Sequence, residues 1–134
     1  MSAEEVDTHM RVARAGLHLA EHLAEVPILL FACIDRSIAI EVGVGEVSGV
    51  YASIFPAVEN ILLACRGFGL GATLTTLHLL YEDEIKAHLG IPPDVHAAAM
   101  IPIGWPVGRF GPVNRRPPEV VTHWDHWGVR RERS

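Results

Sequence analysis

The chain has 134 residues, room for one domain spanning 1–134 and not for a second with its own core. Hydrophobic residues make up 49% and charged residues 20%, which excludes disordered, collagen-like and low-complexity classes. A formal charge of −5 argues against a protein built to bind the phosphates of nucleic acid or to lie on an anionic membrane.

Residues Ala3 to Glu25 place Val6, Met10, Ala13, Leu17, Ala20 and Leu23 at steps of three and four, predicting an amphipathic helix. Pro27 closes it and opens the apolar run Ile28 to Ile34, expected to be a central strand with helices on both faces. The fold class is therefore α/β (or α+β), a sheet layered with helices. Three glycines between Arg36 and Gly49 suggest a loop. Ser53 caps a predicted helix to about Phe68, with Ile54, Val58, Ile61, Leu62 and Cys65 on one side and Ala57, Leu63 and Ala64 elsewhere, so it should be buried on more than one side. Gly67-Phe68-Gly69-Leu70-Gly71 ends it, and Ala72 to Thr76 reads as a short strand. A helix from Glu82 to Leu89, acidic in its first turn and stopped by Gly90, precedes a strand from Val95 to Ile103. The tail Val120 to Trp127 has no apparent partner in its own neighbourhood.

Cys33 and Cys65 lie in apolar runs without CxxC spacing and are expected to be buried free thiols. The start Met-Ser-Ala-Glu-Glu lacks the basic and apolar features of a signal peptide, and no apolar run approaches the ~20 residues of a membrane span, so the expected location is the cytoplasm. His18 and His22 stand four apart, a metal-compatible spacing without an evident third ligand, and no metal is assigned. His123-Trp124-Asp125-His126-Trp127 reads first as a docking strap, because Trp is favoured where a segment packs on another surface. Gly67-x-Gly69-x-Gly71 follows a helix and precedes a strand, the reverse of a dinucleotide-binding turn, and Gly43-x-Gly45-x-x-x-Gly49 has the wrong spacing. No HExxH, Walker sequence or Ser/His/Asp order supports a hydrolase. Two polar segments stand out: Thr73 to His78, and Asn114-Arg115-Arg116, whose guanidinium groups suit a phosphate.

From about Ser53 to Trp127 the chain resembles the FMN-dependent nitroreductase family. The resemblance is carried by Phe55-Pro56-Ala57-Val58-Glu59-Asn60-Ile61-Leu62-Leu63-Ala64-Cys65-Arg66, Gly69-Leu70-Gly71-Ala72-Thr73-Leu74-Thr75-Thr76, Leu89-Gly90-Ile91-Pro92 and Ile101-Pro102-Ile103-Gly104-Trp105-Pro106, running into Arg115-Arg116-Pro117. Ala20-Glu21-His22-Leu23 and Val26-Pro27-Ile28 are similar to the middle of the same family.

The resemblance implies a homodimer binding FMN at the subunit interface, with a C-terminal extension, here 113–134, exchanged between chains. It implies that Leu74 to Leu77 lie against the isoalloxazine, with Thr75, Thr76 and Leu77 as ring contacts, and that Asn114, Arg115 and Arg116 hold the phosphate, Arg116 foremost. Asn114 stands where the family usually carries a basic residue. The family's leading Arg-Arg-Ser-x-Arg motif is not among these residues, so the chain resembles the family's C-terminal two thirds, truncated at the front. The activity implied is transfer of electrons from NAD(P)H through FMN to a nitroaromatic, quinone or similar small acceptor. The reading from a different class is a catalytically silent member that only dimerises or binds a flavin or other ligand weakly.

Overall fold

In the computed structural model, residues 3–37, 47–111 and 115–131 are described. Among these residues, three α-helices, α1 (Ala3–Glu21), α2 (Val47–Gly67) and α3 (Glu82–Leu89), accompany three strands, β1 (Ile28–Asp35), β2 (Gly71–Ala72) and β3 (Val95–Gly104). The sheet is antiparallel with order β1-β3-β2. The mixed α/β class is as expected. The expected central place of the Ile28–Ile34 strand is not: β1 is an edge strand, and β3 takes the middle. The seven residues from Ala97 to Ile103 are all buried, because β3 has partners on both edges and its Ala97-Ala98-Ala99 run lets other elements approach closely.

The core lies between α2 and one face of the sheet. Val58 and Cys65 meet Ala32, Ala99, Ile101 and Ile103, and the half-buried Leu30, Ile54, Ile61, Leu62, Leu70 and Ala72 close around them. Alternate strand residues face one way, which is why 30 and 32 pair with 99, 101 and 103 in this layer. The expected stripe of α2 is the one that packs. Its other sides are not buried within one chain: Phe55 is exposed, and Leu63 is 60% exposed.

Helix α2 begins at Val47, ahead of the expected cap at Ser53. Ser53 lies inside the helix, its Oγ donating to the Val50 carbonyl at 3.2 Å. Pro56, tolerable in the first turn of the shorter predicted helix, therefore sits in the interior of a longer one, where it supplies no N–H. The loop expected over Arg36 to Gly49 consequently loses its last residues to α2, and positions 38–46 lie outside the described residues. At the other end α2 closes as a Schellman motif: Gly69 has φ 75°, Leu70 N–H donates to the Cys65 carbonyl at 2.8 Å and Gly69 N–H to Arg66 at 3.1 Å. The glycine stop read from the sequence is what forms. Gly90, with φ 68°, does the same for α3.

Helix α1 finishes in a 3-10 turn, Leu23–Glu25. Its apolar residues Val6, Met10 and Leu17 are exposed. Cys65 is a buried free thiol as expected, whereas Cys33, on β1, is exposed. No described helix is long and apolar enough to cross a membrane.

Candidate functional site

The segment that follows the Gly69 stop is fixed by β3. The strand expected over Ala72 to Thr76 is only Gly71–Ala72, but Thr75 rejoins the sheet as an isolated bridge. Its N–H donates to the Met100 carbonyl at 2.9 Å and its carbonyl accepts from Met100 N–H at 3.0 Å. The Thr75 hydroxyl oxygen accepts from Leu77 N–H at 3.2 Å, turning the chain into a 3-10 helix, Leu77–Tyr81. Leu79 N–H closes that turn on the Thr76 carbonyl at 3.0 Å.

Thr75 is half-buried and Thr76 exposed, and around them Leu74, Leu77, Leu79, Leu80 and Tyr81 present exposed apolar surface. Only His78 points inward from this turn, 3% exposed. The arrangement is a short apolar strip carrying one exposed hydroxyl, held to the central strand by backbone bonds.

Arg115 and Arg116 are exposed and lead into the 3-10 turn Pro118–Val120. Asn114 lies outside the described residues. The structure therefore assembles the Thr75–Leu77 element as a unit, and it gives the two arginines as a separate exposed pair.

An open cleft of about 300 Å³, not read from the sequence, lies between the end of α1 and the β2–β3 edge, lined by His18, His22, Glu25, Pro27, Gly104 and Trp105 among others. The His18 and His22 rings are 4.4 Å apart, as their spacing of four dictates. His22 Nδ1 lies 2.8 Å from Glu25 Oε1, and this hydrogen bond with the Glu25 charge raises the His22 pKa. Among the described residues no group of three or more His, Cys, Asp and Glu is arranged to hold a metal. None of Thr75, Thr76, Leu77, Arg115 and Arg116 lines this cleft. A Cβ at Gly104 would stand 3.3 Å from Pro27, a closeness that comes from the fold and that no local pattern in the sequence signals.

Near the N-terminal end of β3, His96 Nδ1 meets Glu82 Oε1 at 2.6 Å in a part-buried pair, with the Tyr51 ring edge-on to His96 at 5.7 Å. The pair ties α3 and α2 to the start of β3.

The His123 to Trp127 segment has local partners that its sequence did not reveal. Trp124 N–H donates to the Val129 carbonyl at 2.9 Å, Gly128 N–H donates to His123 Nδ1 at 3.2 Å, and the Arg131 guanidinium lies 4.3 Å from the Trp124 ring centre. Asp125 adopts φ 60° and Gly128 φ 94° to make this closed turn. Trp127 remains 92% exposed.

A family model described as the nitroreductase family matches residues 2–105. The match takes in α1 and β1 as well as everything from α2 to the end of β3, and stops at Trp105, ahead of Arg115 and Arg116.

Proposed function

This chain belongs to the nitroreductase family, and on that premise we propose that it is an FMN-dependent oxidoreductase acting as a homodimer. Electrons pass from NAD(P)H to a nitroaromatic, quinone or similar small acceptor. The observation that carries the reading is the Thr75–Tyr81 strip, which lies within the matched residues. A flavin ring needs a flat apolar contact and polar groups at its edge, and the strip offers both: Leu77 beside the Thr75 and Thr76 hydroxyls. Its phosphate needs cations, and Arg115 and Arg116 are exposed and available. These residues fit FMN as one wall of a site. The cleft at His22 fits it poorly, since Glu25 stands in it and no Lys or Arg lines it.

When bound, the flavin supplies the redox chemistry itself, so no acid–base motif is required of the protein. The share of this chain is binding and orientation. Thr75 is held by two backbone bonds to Met100, and because its hydroxyl oxygen already accepts from Leu77 N–H, its hydroxyl hydrogen is left to donate to a ring-edge acceptor. Thr76 contributes a second hydroxyl and Leu77 the apolar contact. Arg116, with Arg115 beside it, pairs with the phosphate, and Asn114 adds no charge there.

The dimer is supported by exposed apolar side chains: Leu77, Leu80 and Tyr81 on the strip and Phe55 and Leu63 on α2 are exposed in the single chain, and a second copy would enclose them.

The test is a visible absorption spectrum after incubation with FMN and gel filtration, followed by a flavin titration of Arg116→Ala. Flavin bands co-eluting with the protein are expected, with affinity for FMN reduced about tenfold or more in the variant, the size of a lost charge-assisted hydrogen bond. A colourless protein fraction overturns the cofactor assignment, and an unchanged titration removes Arg116 from it.

A further inference from the structure

His78 is the one buried side chain in a turn that is otherwise exposed, and its place is set by an irregularity in the sheet. Ala32 pairs with Ala99 and Cys33 with Ala97, one step along β1 against two along β3. Ala98 is therefore the extra residue of a β-bulge, which disrupts the ladder locally and leaves backbone groups to find other partners. The Ala97 carbonyl accepts from His78 Nε2 at 2.7 Å. A carbonyl can only accept, so Nε2 carries the proton, and in the neutral ring Nδ1 is left as an acceptor. Nδ1 is buried and has no polar partner among the described residues. The ring also meets the edge of Phe31 on β1, centroids 5.7 Å apart and planes at 83°.

One imidazole thus spans the bulge, touching both strands on either side of it, and it belongs to the same turn as Thr75, Thr76 and Leu77. Thr75 fixes the front of that turn to Met100. Beyond Thr76 the exposed Leu77, Leu79, Leu80 and Tyr81 give little to anchor it, and a 3-10 turn is weakly held by its own hydrogen bonds. The burial of a polar ring with one nitrogen unpaired is costly for fold stability alone, where an apolar side chain would serve.

We propose that His78 is the positioning residue of the flavin-ring segment, fastening the Leu77–Tyr81 turn to the β3 bulge so that Thr75, Thr76 and Leu77 stand in one geometry. The proposal rests on the reading of that segment as the ring contact.

The experiment compares His78→Phe, His78→Gln and His78→Asn. Phe keeps a ring against Phe31 and removes the donor to Ala97. Gln places an amide N–H where Nε2 stands, and Asn is too short to do so. Amide exchange of the peptide spanning Leu74 to Tyr81 is followed by mass spectrometry, and FMN affinity by fluorescence quenching at a temperature where each variant is folded. Exchange in that peptide is expected to quicken and FMN affinity to fall about tenfold in the Phe variant, the fold-change of one lost buried hydrogen bond. Gln restores both and Asn does not. A merely structural role would lower the melting temperature and leave the affinity of the folded variant unchanged, which overturns the proposal, as does an equal loss in the Gln and Phe variants. If the unaltered protein binds no FMN, the cofactor reading fails separately, and exchange alone decides whether His78 fastens the turn: unaltered exchange in the Phe variant overturns that too.

Discussion

At the end of β1, Asp35 takes two hydrogen bonds from a single neighbour, from Ser37 Oγ–H at 2.6 Å and from Ser37 N–H at 2.9 Å, both to Oδ1. They stabilise the carboxylate and lower the Asp35 pKa, the hydroxyl bond contributing most. A lowered carboxyl stabilises the fold above its unfolded-state pKa, and that contribution is lost as pH falls through the folded value. His22 runs in the opposite sense: raised by Glu25, it stabilises the fold below its unfolded pKa, and the effect is lost as pH rises through the folded one. Ser37→Ala removes the larger of the two Asp35 bonds. A carboxyl-carbon NMR titration of that variant is expected to show the Asp35 pKa moving up towards its ordinary value, and a titration that does not move would mean that Ser37 is not the cause. Both groups are solvent-facing, so the readout is the titration of the residue itself and not global stability.

Among the elements, the α2 stop is the part of the fold most directly written in local sequence. Gly69 needs φ 75°, and a Cβ there would meet nothing within 4 Å, so a side chain is opposed by backbone strain and not by crowding. Gly69→Ala is expected to lower unfolding free energy by about 1–2 kcal/mol, with Gly69→Asn costing less, because Asn tolerates the left-handed region. Denaturant midpoints decide it, and an Ala variant as stable as the original would show that the turn relaxes. Gly69 and Gly90 were legible because a left-handed helix stop is a property of one residue and its neighbours. The stripe Ile54, Val58, Ile61, Leu62 and Cys65 was legible because 3.6-residue periodicity states which face packs. The sheet order was not: the Ile28–Ile34 and Val95–Ile103 runs are similarly apolar, and nothing local says which one gains a partner on both edges. The start of α2 was missed because Ser53 and Pro56 imitate a helix beginning, and the closed turn at His123–Val129 because it depends on pairings across the turn and on the left-handed backbone of Asp125. Of the candidate site, Thr75, Thr76 and His78 all fall in the polar segment Thr73 to His78, and the resemblance picks out the two threonines; the inward place of His78 was not legible, since it follows from a bulge that only the pairing register reveals.

Among the described residues few large side chains are buried: Ile101, Met100 and Val58 combine size with near-complete burial. Against that small core stand the exposed Phe55 and Leu63 on α2, Phe68 at 79% beyond its end, and the Leu77–Tyr81 strip. These exposed apolar side chains form the kind of surface that a second copy of the chain would cover. Folding and association should therefore be linked, and the melting temperature should rise with protein concentration. Sedimentation equilibrium is expected to give twice the chain mass. Leu63, which is 60% exposed and contributes nothing to the core of its own chain, provides the discriminating variant. Leu63→Asp would place a charge in an apolar interface at little cost to the isolated fold, so it should shift the protein to monomer and remove the concentration dependence of melting. Were α2 simply a solvent-facing helix, the same substitution would be nearly neutral and the unaltered protein would sediment as a stable monomer. That outcome would leave the exposed apolar side chains without a partner and would contradict the proposal of a site enclosed by two copies.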